Sequence, residues 1–473
     1  MILRRFVKYV VPSVVGSVVT SLYLVVDGVF IARGVGETGV AAVTLVLPLT
    51  MAFIAISMVF SVGGASLVSV SLGSDDSARA VSIFRQSLCA LTAIGAAFSL
   101  VGAAFAEHVA VALGATGALT SPAAEYMRHY MAFTVPVLLA MALCTFIRHD
   151  GSPRLSMRSM LWGAVTNILL DYVFVFPLGL GLRGAAIATG LGQLVTVLAC
   201  LKHFAQRRGA LSIGRARIRA KDIREIVFLG VPSFLAEVSY SVLMHMHNIA
   251  IVSRVGEIGV TSYGVVNYIN NLAYMALLGI CQGIQPLMSY YYGCGKPEES
   301  RKYCKLGIRA STVVSASFFV ICLFLGKPII RVFASSPGVV GLAHTILNYT
   351  NAAYIMLGVN LVFQTYLQAI YMPRWANLIC LLRGFVFVKL GLMALPKLLG
   401  DTGIWATMIF SEGMTLIVAT YVSRSRQHNS ASRAVAISPR PRLKASCLAS
   451  AFAAASPGSD AETPRIPASS MPR

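Results

Sequence analysis

The chain has 473 residues, 56% of them hydrophobic and 12% charged, with a formal net charge of +21. A soluble globular chain carries about 25% charged residues, so this composition excludes a soluble domain and points to an integral membrane protein. The basic residues fall between apolar runs and in the C-terminal tail rather than on one patch, which excludes a nucleic-acid-binding protein.

The apolar runs have the length of membrane-crossing helices, about 20 residues or more. The strict alternation of barrel strands is absent. Twelve spans are expected. In the first half they run near 7–32, 40–72, 82–106, 126–147, 156–178 and 184–202. In the second half they run near 223–252, 258–292, 303–326, 344–370, 375–396 and 403–422. Pro12, Pro48, Pro136, Pro232 and Pro286 lie inside spans and are expected to kink them. Met1-Ile2-Leu3-Arg4-Arg5 is basic, but the apolar run after it is too long for a cleavable signal peptide.

Lys and Arg concentrate in alternate loops, including Arg4 and Arg5, Arg79 and Arg85, Arg148 and Arg154, and Arg301 and Lys302. Under the positive-inside rule both termini are cytoplasmic, as an even number of spans requires. The expected organisation is a six-helix lobe over 1–202, a basic cytoplasmic linker over 203–222 and a second six-helix lobe over 223–422. A cytoplasmic tail over 423–473, rich in Ser, Ala, Pro and Arg, is expected to be disordered. The nine cysteines have neither zinc nor disulfide-scaffold spacing and read as packing residues.

The two halves repeat. Val11-Pro12-Ser13 returns as Val231-Pro232-Ser233, an offset of 232 − 12 = 220. At the same offset Gly36, Gly39, Gly63 and Gly73 meet Gly256, Gly259, Gly283 and Gly293, and Pro153-Arg154 meets Pro373-Arg374. Such a period inside an apolar chain is how many transporters are built, as two related bundles around a central site. The fold class is therefore an all-α integral membrane protein of twelve transmembrane helices in two pseudo-symmetric six-helix lobes.

An ionisable group inside a span costs roughly 2.5–3.5 kcal/mol on insertion scales, so each one is a functional candidate. Asp27 lies near the outer end of span one, Asp171 near that of span five, and Thr189 near the outer start of span six. Asn167 is one helical turn from Asp171 on the same face. These four oxygen-bearing side chains fall in one layer. Two carboxylates sharing a dry pocket cannot both ionise cheaply, so the layer suits either proton uptake or a hard monovalent cation. The alternative is local bonding, with Asp27 capping a break at Gly28 and Asp171 bonded to Asn167 or a tyrosine.

The second half lacks these acids: His247 stands at the position of Asp27 and Gly391 at that of Asp171. Lys389 sits at a similar outer depth, with Glu237 and Glu412 nearer mid-membrane, and Lys389 is either neutralised by one of them or a functional charge. His247 is either a titrating group or a packing residue.

Four stretches carry a resemblance to a known family. They are Tyr23-Leu24-Val25-Val26-Asp27, Asn167-Ile168-Leu169-Leu170-Asp171-Tyr172, Gly184-Ala185-Ala186-Ile187-Ala188-Thr189 and Gln282-Gly283-Ile284-Gln285-Pro286. The sequence resembles the multidrug and toxic compound extrusion (MATE) transporters, over about residues 5–422, with the MepA-like bacterial branch nearest. The resemblance implies two six-helix lobes across a V-shaped cavity and alternating access. It implies export of cationic or amphipathic compounds in exchange for H⁺ or Na⁺, with no cofactor, no enzyme activity and no metal beyond that Na⁺.

It places the coupling site at Asp27, Asn167, Asp171 and Thr189, and a conformational hinge at Pro12, with Pro232 its repeat. Further candidates are Tyr126, Gln193, Glu237, His247, Gln282, Lys389 and Glu412. Cys144 stands where many relatives carry Asn at the lower edge of the site. Tyr268, Met275 and Met288 are candidate substrate contacts or packing residues. The expected partners are small cationic molecules and membrane lipids, with the chain monomeric in the inner membrane. The competing reading is a lipid-linked oligosaccharide flippase of the same superfamily, for which Lys389 and Arg383 would supply positive charge.

Overall fold

The computed structural model describes residues 2–437. The first half comprises α1 (Ile2–Gly34), α2 (Glu37–Gly73), α3 (Ser77–Ala112), α4 (Thr120–Ala132), α5 (Thr134–His149), α6 (Pro153–Val175) and α7 (Gly181–Ala205). The second comprises α8 (Ala220–Arg254), α9 (Glu257–Gly293), α10 (Pro297–Arg331), α11 (Pro337–Ala369), α12 (Pro373–Leu381), α13 (Phe387–Leu399) and α14 (Thr402–Ile437). Among the described residues ten helices are long and apolar enough to cross a membrane. An eleventh span is the broken pair α4 and α5, bent by 51°. The twelfth, α6, is 23 residues long. It is less apolar because it carries Arg158, Asn167 and Asp171 within its length.

The expected fourth span therefore starts earlier and is interrupted. Its break falls at Phe133 rather than at Pro136, which sits in the first turn of α5, where a missing N–H costs no helical bond. The Phe133 ring occupies the space beside Gly190 of α7, where a Cβ would lie 2.1 Å from it. The eleventh span is also irregular: α12 passes into α13 through a π turn, Leu382–Val386. The last helix runs to Ile437, beyond the expected edge near 422. The rest of the expected disordered tail, 438–473, lies outside the described residues.

Within the first half, α6 packs on α1 and α7, and α2 on α3 and α5. Phe84, Phe146 and Phe204 join α3, α5 and α7, with ring centroids 5.0 and 4.7 Å from Phe84. The segment between α7 and α8 is fastened by specific bonds. Asp150 accepts from His203 at 2.9 Å and from the Ala210 backbone at 2.8 Å, and Arg85 donates to the Ser212 carbonyl at 2.9 Å.

The halves meet where α1 crosses α9, α2 crosses α8 and α2 crosses α9. The repeated glycines lie in these crossings. A Cβ at Gly63 would lie 2.2 Å from the Ile226 carbonyl oxygen, beside Gly230, and a Cβ at Gly283 would lie 2.7 Å from the Val10 Cα. Gly230 and Val10 are themselves one repeat apart, so these are the same contact seen from either side. Gly73 abuts Tyr290 and Gly293, while Gly293 abuts Val70, again in exchange at the same offset.

Polar contacts follow the seam: Gln285 to Ser66 at 3.1 Å, Asn271 to Ser21 at 2.8 Å, Arg79 to Glu225 at 2.8 Å, and Arg5 to the Tyr291 hydroxyl. Toward the other end, Gly28 and Gly264 face open space. The halves touch at one end of the bundle and part toward the other.

A side chain at Gly63 has no room between two backbones, and overpacking of this kind costs about 1–3 kcal/mol. Gly63→Ala is expected to lower the detergent-solubilised protein's thermal midpoint, while Gly264→Ala leaves it unchanged or raises it. Tryptophan-fluorescence melting of both variants checks this.

Candidate functional site

The acid layer is assembled by small residues. On α1, Gly16 and Gly34 bracket Asp27 and let α6 approach: a Cβ at Gly34 would lie 2.1 Å from Val175, one turn beyond Asp171. On α7, Gly192 sits against the Asn167 side chain and the Gly163 carbonyl. These close approaches place polar groups from three helices together.

Asp171 is fully buried and Asn167 is 3% exposed. The Asp27 and Asp171 carboxyls are neighbours, and Asn167 stands beside Asp171. Asn167 Nδ2 donates to Thr189 Oγ1 at 3.5 Å, and Thr189 donates to the Ala185 carbonyl at 3.0 Å. Asp27 Oδ1, Asn167 Oδ1 and both carboxyl oxygens of Asp171 are buried without a donor. The structure thus brings Asp27, Asn167, Asp171 and Thr189 into one cluster.

Its wall is aromatic. Tyr126 stacks on Tyr130 with centroids 5.9 Å apart, and the Tyr130 ring stacks in turn on Phe53 at 6.4 Å. Tyr23, one turn before Asp27, lies beside Gln193, and Tyr130 lies beside Thr50. Tyr126 and Gln193 therefore lie at the cluster. Tyr23, Tyr130 and Thr50 were not singled out from sequence, although Tyr23 and Tyr130 stand four residues from Asp27 and Tyr126 on the same helix faces.

The MatE family model matches residues 12–173 and 232–388, and the two matched segments begin one repeat apart. The chain belongs to the MatE family. Members are membrane transporters, not enzymes, and this member is a multi-pass membrane protein. It is 25% identical over 423 residues to the multidrug export protein MepA of Staphylococcus haemolyticus, covering 89% of this chain and 93% of that one. It is 26% identical over 430 residues to MepA of Staphylococcus saprophyticus, covering 90% and 95%. A structure of a multidrug resistance MATE transporter in an outward-facing conformation superposes with a TM-score of 0.85 at 22% identity, covering 90% of this chain and 96% of that one. This likeness shows the MATE fold.

The remaining candidates fall elsewhere in the MatE framework. Cys144 is not at the acid layer. It contacts Cys200, and Cys200 and Thr189 on α7 are about 16 Å apart along the helix axis. The partner expected for Lys389 is taken: Lys389 is exposed, and Glu412 instead faces Arg383 at 3.7 Å, both side chains buried. Arg383 continues the buried face of α12, three residues after Cys380 and four after Ile379, while Lys389 falls off that face. There Ser411 donates to the Arg383 carbonyl at 2.8 Å, and Asn360 donates to Glu412 at 2.8 Å. Glu237 lies near this pair on α8.

His247 packs away from every acid, its Nδ1 on the Leu243 carbonyl at 3.0 Å and its ring 5.9 Å from Tyr263. Gln282 is partly buried with Oε1 unpartnered. Met288 is fully buried, Met275 is half-buried, and Tyr268 is exposed and stacked on Phe333. Among the described residues no group of three or more His, Cys, Asp or Glu side chains is arranged to hold a metal.

Breaking a buried ion pair by removing one partner costs about 3–5 kcal/mol, while replacing both with apolar groups is often close to neutral. Arg383→Met alone is expected to destabilise the protein by that amount, and Arg383→Met with Glu412→Leu by much less. Thermal unfolding of the single and double variants measures the difference.

Proposed function

We propose that this MatE protein is a cation-coupled antiporter that exports cationic or amphipathic compounds by alternating access, with H⁺ or Na⁺ taken at Asp27, Asn167, Asp171 and Thr189. One observation carries the reading: two neighbouring carboxyls with enclosed oxygens, Asp27 Oδ1 and both of Asp171, that have no donor. Like charges at that separation repel strongly in a low dielectric. A proton or a monovalent cation relieves the repulsion, and Asn167 and Thr189 supply further oxygens for a hard ion.

The ion shifts a conformational equilibrium only if it binds one state more tightly. Coupling then acts through α1. Asp27 and Pro12 share this helix, and Pro12 withholds one backbone bond where α1 lies on α9. Loading Asp27 changes how α1 is held against α6, and Pro12 is the joint at which α1 bends. Pro232 is its counterpart in α8. With both termini and the linker cytoplasmic, the glycine seam closes the inner end and the substrate cavity opens outward between two six-helix lobes. The export activity named for the MepA relatives supports the substrate class, and the unpaired acids favour cations over anionic lipid-linked sugars. The protein then acts as a monomer in the inner membrane.

The test is export of a fluorescent organic cation from loaded proteoliposomes, with H⁺ and Na⁺ gradients imposed separately. One gradient is expected to drive export. Asp27→Asn and Asp171→Asn are expected to lose gradient-driven export, and Thr189→Ala to weaken it. Export indifferent to both gradients would contradict antiport, and full activity in Asp27→Asn would remove that residue from the mechanism.

A further inference from the structure

Cys144 on α5 and Cys200 on α7 are both buried, and their sulfurs lie 3.7 Å apart. Arg148, one turn beyond Cys144 on the same face, is 5% exposed. Its donors reach Thr145 Oγ1 at 3.0 Å, Ser156 Oγ at 3.4 Å and the Met160 thioether at 4.0 Å, while Nε has no partner. Among the described residues Arg148 makes no ion pair. The groups beside it that can become anionic are the two thiols. A guanidinium buried without a countercharge is costly, and the cluster resolves that cost if the thiols ionise.

We propose that Cys144 and Cys200 form a binding site for a soft monovalent d¹⁰ cation, Cu⁺ or Ag⁺, with Arg148 as its countercharge. Thiolates select such ions over hard ones. The geometry fits, since metal–thiolate bonds of about 2.3 Å, as at zinc, set two sulfurs on one ion roughly 4 Å apart. The Met160 thioether, in contact with Arg148, is a further soft sulfur beside the pair.

Charge balance fits as well. Both thiols lose a proton, two S–M bonds form, and two thiolates with one monovalent ion and one guanidinium leave the buried cluster neutral. A divalent ion leaves it positive, and a disulfide leaves Arg148 unbalanced. The occupied site ties α5 to α7 on the side of the cluster away from Thr189. The site stands apart from the acid layer and does not rest on the transport reading.

The test uses the full chain in detergent, without oxygen, titrated with Cu⁺ against a chromophoric Cu⁺ chelator. Wild type is expected to hold one tight equivalent with release of two protons. Cys144→Ser and Cys200→Ser are expected to lose it, and Cys322→Ser to keep it. Arg148→Leu is expected to weaken binding about 10–100-fold, the usual effect of removing a group that supports metal ligands, with Arg148→Lys recovering most of it. Equal binding by Cys144→Ser and wild type would overturn the proposal.

A second measurement needs no variant. One equivalent of Ag⁺ should protect Cys144 and Cys200 from alkylation in wild type, read by mass spectrometry. Protection spread evenly over all cysteines would overturn the proposal even if the serine variants misfold.

Discussion

The structure depends on backbone-to-backbone contact between helices of opposite halves. In a bilayer, lipid surrounds apolar side chains as well as protein does, so helices are held by close approach, van der Waals packing and a few polar bonds. Gly63, Gly73, Gly283 and Gly293 provide that approach. Each faces backbone of the other half at a distance no Cβ tolerates. Because the contacts exchange under the 220-residue offset, one interaction is made twice about a pseudo-two-fold axis. The seam lies toward one end only. It fixes which side of the bundle is shut, and any conformational exchange between open ends has to part these glycines.

The same device builds the acid cluster. Gly16 and Gly34 on α1, and Gly163 and Gly192 between α6 and α7, bring three helices close enough for short side chains to meet. Asp, Asn and Thr have little reach, so their juxtaposition follows from backbone spacing. Tyr126 and Tyr130, both buried, line the cluster with stacked rings. Small residues provide proximity, aromatic ones enclosure, and the polar atoms left without donors define what the site lacks.

Much of this was legible in the sequence, for physical reasons. Helical depth follows from residue count, so Asp27, Asp171 and Thr189 could be put in one layer before any packing was known. The repeat was visible because Gly and Pro constrain backbone, and backbone is what the two halves share. The π turn was not legible: its one glycine, Gly384, looks no different from Gly391 in the regular helix that follows, and the pairing of Arg383 rather than Lys389 with Glu412 follows from the face that α12 buries. The break falls at Phe133 and not at Pro136 because a proline in the first helical turn sacrifices no bond, and a phenylalanine seated on Gly190 leaves no local signal. The Cys144–Cys200 pair leaves no signal in the sequence because its members are far apart and joined only by the α5–α7 crossing.

The asymmetry between the halves is one of charge balance. In the second half the buried acid Glu412 has its cation, Arg383, and an Asn360 donor besides, so its charge is satisfied by protein. His247, at the position of Asp27, is enclosed by Tyr263 and the Leu243 carbonyl, with no acid to hold. In the first half Asp27 and Asp171 face each other, and neither makes an ion pair among the described residues. A buried negative pair cannot persist in a membrane without positive charge. Under the proposed antiport that charge comes from solution, and the duplicated scaffold leaves the requirement on one side only.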